Sequence, residues 1–454
     1  MASKPFPVAN SITPYWRSEP DSLDSHRSTK SLPEKADIVV IGAGYAGAST
    51  AYHLLEQAEP TERPSVLILE ARQVCGHLKP DVYNFVGTVA ERYGAEAARE
   101  LAAFECAHIP AIEAVVEMEK IECDLQVSQA HDVQLDETHT DKLYNAYRTL
   151  IDSGSALTKT AAYTTGEQAE RVSGVKGAKS CFSYRAGRLW PYKLIVGLLK
   201  KSIAKGANLQ TNTPVESVSE LPDEEGRWTV ITLRGSIIAK KVVFASNGYT
   251  AGILPQYQDK IVPVRGICSR IVVPNPPIPA SPSLDSSYTV RIKEGIYEYL
   301  IARPDGSIII GGARSVYVQD LKHWYNNTDD ANLIEPAAHH FDGYMQKYFN
   351  GWEDTGSYTD RVWTGIMGYT SDDLPHVGHV PDKPGQLVIA GFNGHGMPQI
   401  FLSAKGIAQM ILKGAGFEET GIPRIFKTTK ARLDNKGNTI LSAAHLDENV
   451  KKQL

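Results

Sequence analysis

The first clear pattern in the chain is Asp37-Ile-Val-Val-Ile-Gly42, an apolar, β-branched run of strand length with no polar alternation. Such a run predicts a strand buried on both faces. Residues 46–57 follow with Ala48, Ala51, Leu54 and Leu55 at helical spacing, and a polar, proline-bearing loop then leads to a second buried strand, Ser65 to Glu70. Residues 1–33, punctuated by Pro5, Pro7, Pro14, Pro20 and Pro33, read as an extended lead-in. The alanine-rich stretch from Thr88 to Lys120 predicts two helices broken near Pro110. Pro191 to Lys205 predicts an amphipathic helix ended by Gly206. Short strands at 208–210 and 215–218 come next, then a hairpin from Arg227 to Ala239 turning at Arg234-Gly235, then a separate strand from Lys241 to Ser246. Residues 260–315 are strand-rich, 329–349 read as helical, Gln386 to Ala390 as a strand, and Ile400 to Lys413 as the closing helix.

With 454 residues the chain exceeds a single ordinary core, so two domains are expected. A formal charge of -5 is mild for this length and gives no reason to expect nucleic acid or an anionic membrane as partner. No apolar run approaches the roughly 18 residues of a membrane span. Cys75, Cys106, Cys123, Cys181 and Cys268 are odd in number and show no CxxC spacing, so neither a disulfide framework nor a metal site is expected. These features, with a polar N-terminus lacking a signal-peptide core, suggest a cytoplasmic protein.

The chemistry starts at Gly42-Ala43-Gly44-Tyr45-Ala46-Gly47, a GxGxxG between the first strand and the first helix. In that context Gly42 permits the tight turn, Gly44 lets backbone approach a pyrophosphate, and Gly47 lets helix and strand pack closely. The helix N-terminus then meets the phosphates with unpaired N–H groups. Glu70 closes the second strand, where a carboxylate accepts from ribose hydroxyls and repels a 2′-phosphate. A second glycine-rich strand-to-helix turn, Gly391 to Met397, favours FAD over NAD, because a flavin needs backbone cover from distant sequence.

Several segments together carry a wider likeness: ADIVVIGAGYAGASTAYHL, LILEAR, GHLKPD, YRAGRLWPYKLIVGLL, VVFASNGYT, IVPVRG, YEYLIARPDGSIIIGGAR, WTGIMGYTSDDLPHVG and AGFNGHGMPQIFLSAKGIA. On these the chain resembles the D-amino-acid oxidase/glycine oxidase/sarcosine oxidase family of FAD-dependent oxidoreductases, in particular its fungal branch. The resemblance implies an α/β, two-domain fold in which a Rossmann-like FAD-binding domain (34–120, 186–255 and 356–425) is interleaved with a β-rich substrate domain (121–185 and 256–355). A C-terminal tail would cover 426–454. It places Glu70, Ala71, Arg72, His77 and Leu78 at the cofactor, Val215 beside the adenine, Ala245 and Asn247 near the pyrophosphate, and Gly394, His395, Gly396 and Met397 along the flavin. The implied activity is oxidation of the C–N bond of an amine or amino acid to an imine by hydride transfer to FAD.

The sequence departs from that family in two places. The glycine-rich stretch that usually separates the ribose carboxylate from the GHLKPD-like segment is shortened, since Glu70 to Cys75 passes directly to Gly76-His77-Leu78. The alternative for such a chain is a degenerate relative that binds or isomerises a metabolite without redox turnover. Where sarcosine-oxidase-like members carry a flavin-tethering cysteine this chain has Gly365, so FAD is expected to be non-covalent. The oxygen-activating lysine of those enzymes also has no match in Ser307 to Ile310. For the substrate, an arginine clamp suits a carboxylate, and Arg265, Arg270 and Arg314 are candidates. Tyr297 and Tyr299, which share one strand face, and His395 complete the candidate set.

Overall fold

The run at residue 37 becomes β1 (Lys35–Ile41), which pairs in parallel with β2 (Val66–Leu69) on one side and with strand Gly235–Phe244 on the other. Its Ile38, Val39, Val40 and Ile41 are almost without solvent exposure because each face has its own cover. Ile38 and Val40 pack against α1 (Tyr45–Gln57) and helices Pro191–Ala204 and Ile400–Lys413. Val39 and Ile41 pack with Trp228, Val230 and Ile237 of a β-hairpin on the far side. This double cover is why the strand reads as an unbroken apolar run.

The computed structural model describes residues 4–71, 78–274, 284–444, 446 and 447. Two eight-stranded sheets organise them. The first runs His376–His379, Gln386–Ala390, Gly235–Phe244, β1, β2 and Asn208–Gln210, with the hairpin strands Val215–Val218 and Trp228–Thr232 branching from Gly235–Phe244. The second runs Tyr358–Thr370, Ile261–Val272, Ile308–Gly312, Ile296–Ala302, Ser287–Lys293, Gln126–Gln134, Ser180–Arg188 and Ala162–Thr165. Only the pairing of Ser287–Lys293 with Gln126–Gln134 is parallel there, as hairpin connectivity favours.

Several sequence expectations change in physical terms. Residues 235–244 form one strand, not a hairpin arm followed by a new strand: Ala239 pairs with Trp228 on one side while neighbouring residues pair with β1 on the other. Lys240 and Lys241 interrupt the apolar pattern without interrupting the ladder. In helix α2 (Phe85–Glu119) the break lies at Gly94, with φ 86° and ψ 162°, and the helix continues through Pro110. A proline removes one N–H and kinks a helix, whereas a glycine at positive φ leaves helical geometry altogether. Residues 329–349 are mostly turns, with a short 3-10 helix at Glu335–Ala337 and an α-helix at Tyr344–Tyr348. Strand Tyr358–Thr370, grouped by sequence with the nucleotide-binding segments, hydrogen-bonds into the second sheet. The N-terminal lead-in is pinned by its aromatics: Trp190 Nε1 donates to the Trp16 carbonyl at 2.6 Å, and the Tyr15 and Trp190 rings stack at 5.1 Å.

The buried histidines make stability sensitive to acid. His108 accepts from the Leu402 N–H at Nε2 (3.1 Å) and donates from Nδ1 to the Phe104 carbonyl (2.8 Å), an arrangement only the neutral ring satisfies. Burial lowers its pKa to about 4, lowers that of His53 to about 3, and pushes His376 well below the ordinary value. Groups depressed this way contribute stability that is full above the ordinary histidine value of about 6.5 and is lost as pH falls toward the lowered values. The thermal midpoint of the apoprotein is therefore expected to drop as pH is taken from about 7 to about 4.5, beginning above the carboxylate range. A midpoint flat down to the onset of carboxylate titration would contradict this.

Candidate functional site

The register of the first sheet brings four chain segments to one edge. Ile41 at the end of β1 pairs with Leu69 at the end of β2 and with Phe244, and Phe244 pairs with Val388. The loops that follow these strands, from Gly42, Glu70, Ala245 and Gly391, therefore emerge side by side at the carboxyl ends of parallel strands. This is where open α/β sheets hold ligands.

Hydrogen bonds lock the loops to one another. Gly42 N–H donates to the Leu69 carbonyl (2.8 Å), Ala245 N–H to that of Ile41 (2.9 Å), and Thr213 N–H to that of Glu70 (2.8 Å). The buried Glu70 carboxylate accepts from the Ala43 N–H. Asn247, at φ 43°, accepts from Gly391 N–H at 3.0 Å through Oδ1, tying the third loop to the fourth. Val215, two residues beyond Thr213, is buried on the adjoining hairpin.

The three glycines of the first loop face different surroundings. A Cβ on Gly42, whose φ is +104°, would meet the Ala245 carbonyl oxygen at 2.6 Å, and one on Gly47 would meet the Gly42 carbonyl oxygen at 1.8 Å. A Cβ on Gly44 would meet nothing within 4 Å among the described residues. Chain packing thus demands Gly42 and Gly47, while Gly44 borders open space at the start of α1, where Tyr45 and Ala46 begin the first turn. That turn contains no acidic side chain and Gly44 makes no side-chain cap, so among the described residues no cap competes with a ligand for its first N–H groups. The cradle fits the pyrophosphate of a dinucleotide. Among the expected cofactor contacts, Ala71 is half-buried, and Leu78 is buried with its carbonyl accepting from Gly187 N–H at 2.8 Å. Arg72, Cys75 and His77 lie outside the described residues.

The fourth loop carries His395. Its Nε2 lies 2.9 Å from Oε2 of Glu105, a fully buried carboxylate on α2, and its side chain is 36% exposed. Burial disfavours the imidazolium, but the Glu105 carboxylate outweighs it and raises the His395 pKa above the ordinary value. Gly394, at φ +75°, sits against Met367 and Tyr369: a Cβ there would be 3.2 Å from Met367 Sδ and 3.3 Å from the Tyr369 hydroxyl. Met397 is buried beyond Gly396.

Met367 and Tyr369 belong to the second sheet, so that sheet closes over the fourth loop. Strand parity sorts the substrate candidates. A Cβ on Gly266 would meet Met367 at 2.8 Å, which puts Gly266 and Cys268 on the face toward the loop. Arg265 points to the other face, where its guanidinium donates to the carbonyls of Asn332 (2.7 Å) and His323 (3.3 Å). It secures a loop and is not available to clamp a substrate. Arg270 is held between Asp305 and Asp360, at 2.9 and 2.8 Å. Arg314 lies over the Trp324 ring, 5.2 Å from its centroid, makes no ion pair among the described residues, and acts electrostatically on the Tyr317 and Tyr369 hydroxyls. Tyr299 lies across Gly311 with its hydroxyl 3.2 Å from Cys268 Sγ, and Tyr297 is partly exposed beneath Arg291.

Sequence reasoning missed a polar cluster on this side. Asp132, almost fully buried, receives Arg291 through two hydrogen bonds of 2.8 and 3.0 Å and has Lys79 Nζ at 3.5 Å. It also missed Glu105, although a signal was present: a lone glutamate in the helical stripe of Leu101, His108 and Ile112. The described cysteines carry no reactive thiolate. Burial raises Cys106, Cys123 and Cys268 to about 11 and Cys181 to about 12. Among the described residues no helix is long and apolar enough to cross a membrane.

A mainly parallel sheet with glycine loops at its strand ends, covered by a mainly antiparallel sheet that closes over them, is an architecture suited to a dinucleotide-dependent oxidoreductase. The chain belongs to the FAD dependent oxidoreductase family (DAO), whose model matches residues 37–410. It is 24% identical over 391 residues to a probable oxidoreductase OrdL of Rhizobium meliloti (strain 1021), covering 83% of each chain. It is also 24% identical over 372 residues to a glycine oxidase of Geobacillus kaustophilus (strain HTA426), covering 81% of this chain and 90% of that one. The crystal structure of glycine oxidase from Geobacillus kaustophilus superposes with a TM-score of 0.66 at 17% identity, over 87% of this chain and 99% of the other. The two-domain mixed α/β fold expected from sequence is the fold observed.

Proposed function

We propose that this protein holds FAD non-covalently and oxidises the C–N bond of an amine or amino acid to an imine, which water then hydrolyses. The convergence of four strand-end loops around the open space at Gly44 is the observation that carries this reading. Bound FAD supplies the hydride acceptor. The protein supplies the rest by binding and placement, since a neutral amine with a positioned α-hydrogen needs little acid–base machinery.

In this reading Glu70 holds the ribose hydroxyls, Val215 borders the adenine, and Gly44 with the first turn of α1 takes the pyrophosphate beside Ala245 and Asn247. The turn Gly394 to Met397 covers the flavin. The second sheet forms the substrate wall, with Tyr297, Tyr299 and Tyr369 as its aromatic lining. Arg314 is the cation left to receive a substrate carboxylate, since Arg265 and Arg270 are engaged elsewhere. The likeness to a protein named glycine oxidase supports an amino-acid substrate.

Purified protein is expected to be yellow, or to become so on reconstitution with FAD, and to release the flavin on denaturation. The colour should bleach anaerobically with one or more members of a panel of amines and amino acids. A protein that takes up no FAD would overturn the reading. Bound flavin that no amine reduces would favour the non-redox alternative.

A further inference from the structure

Glu105 is out of place by composition. It lies on the face of α2 that carries Leu101, Ala102, Ile109 and Ile112 into the core, and it is fully buried. A carboxylate in such a setting needs its oxygens engaged, and these are. Oε2 accepts from the Asp81 N–H at 2.6 Å and lies 2.9 Å from His395 Nε2, while Oε1 accepts from the Gln399 side-chain amide at 2.7 Å. His395 and Gln399 both lie between strand Gln386–Ala390 and helix Ile400–Lys413, in and just beyond the glycine turn. A buried negative charge on one element thus reaches the single ionisable side chain of a turn on another.

We propose that Glu105 is a positioning residue for the flavin: it holds and orients His395 as an imidazolium within the glycine turn, so that a fixed positive charge faces the flavin site. This rests on the FAD reading above. Reduction places negative charge on a flavin ring, and a cation fixed beforehand stabilises it without reorganisation. A neutral imidazole would have to take up a proton at that moment. The charges facing His395 come from two elements. Glu105 and His108 belong to α2, and Asp81 and Lys79 to the segment before it; Glu105 and Asp81 favour the cation while Lys79 opposes it. His108 is held neutral by the Leu402 N–H that its Nε2 accepts.

Glu105→Gln keeps the shape and removes the charge. In the apoprotein, the His395 imidazole, assigned in NMR spectra by its loss in His395→Asn, should titrate at least about one unit lower in Glu105→Gln than in wild type. In the FAD-loaded protein, sulfite, an anion that bleaches the flavin's visible band, should bind about tenfold or more weakly to Glu105→Gln, and His395→Asn should match it. Wild-type His395 titrating at or below about 6.5 would overturn the proposal, even if Glu105→Gln does not fold. Unchanged sulfite affinity in a folded, flavin-loaded Glu105→Gln would overturn it too. Failure to take up FAD would remove the flavin reading and this role together, while the histidine titration would show separately whether the ion pair exists.

Discussion

Gly47→Ala is expected to destabilise the protein severely, whereas Gly44→Ala, three residues away in the same motif, is expected to leave the fold intact and weaken only cofactor binding. At Gly47 a methyl would lie 1.8 Å from the Gly42 carbonyl oxygen and 2.8 Å from its carbon, both backbone atoms. Neither can move without shifting β1 or the start of α1, and both of those are buried. Overpacking against fixed atoms costs about 3 kcal/mol or more, which should lower the thermal midpoint by about 3 °C or more in a chain of this length. At Gly44 the backbone is at φ −65° and an added methyl touches nothing within 4 Å among the described residues, so the apoprotein midpoint should stay within about 1 °C of wild type. The same methyl would occupy the space assigned to pyrophosphate and should raise the FAD dissociation constant about tenfold or more, or about 1.4 kcal/mol. Paired melts of the two apoproteins and a FAD titration check both statements. Equal melts, or FAD affinity unaffected by Gly44→Ala, would refute the division of roles.

Asp132→Asn should be the most damaging neutral substitution in the second sheet. Asp132 is the anion between Arg291 and Lys79, and all three are largely removed from water. Burial by itself would raise its pKa, but Arg291 and Lys79 outweigh that and lower it to about 2. The pair therefore contributes stability above the ordinary carboxylate value of about 3.9 that is lost only as pH falls below it, toward the lowered value. Removing the anion strands two buried cations, and breaking a buried pair typically costs about 3–5 kcal/mol. The double variant Asp132→Asn/Arg291→Met should recover part of the loss, because it also removes the cation left without a partner. Urea-unfolding midpoints of the single and double variants measure this. A single variant within about 0.5 kcal/mol of wild type would show that the cluster adds little.

Much of the nucleotide-binding half was legible in the sequence, and its physics explains why. β1, α1, β2, Val215–Val218 and Ile400–Lys413 are read from short-range patterns: uninterrupted apolar runs, helical spacing, and glycines at strand ends. The substrate side was harder to read. Arg265 and Cys268 lie three residues apart on one strand and face opposite ways, and which face looks toward the glycine turn depends on packing against Met367. Arg265 was a candidate by residue type alone, and its engagement by the Asn332 carbonyl is a long-range contact without a local signal.

By itself, the sequence determined the family, from segments spread along the chain, and the dinucleotide-binding unit, because a strand, a glycine loop and a helix depend on neighbours within a few residues. Gly47, which faces Gly42, belongs with them, whereas the demand for glycine at 42 comes from the distant Ala245. Only the tertiary structure decided which distant groups share a charge or a surface. Glu105 meets His395 across 290 residues, Asp132 meets Arg291 across 159, and Tyr369 reaches Gly394 from another sheet. Such pairings follow from the register of parallel strands and the closure of one sheet over another, and those contacts are set by the collapsed core rather than by any local preference of the chain.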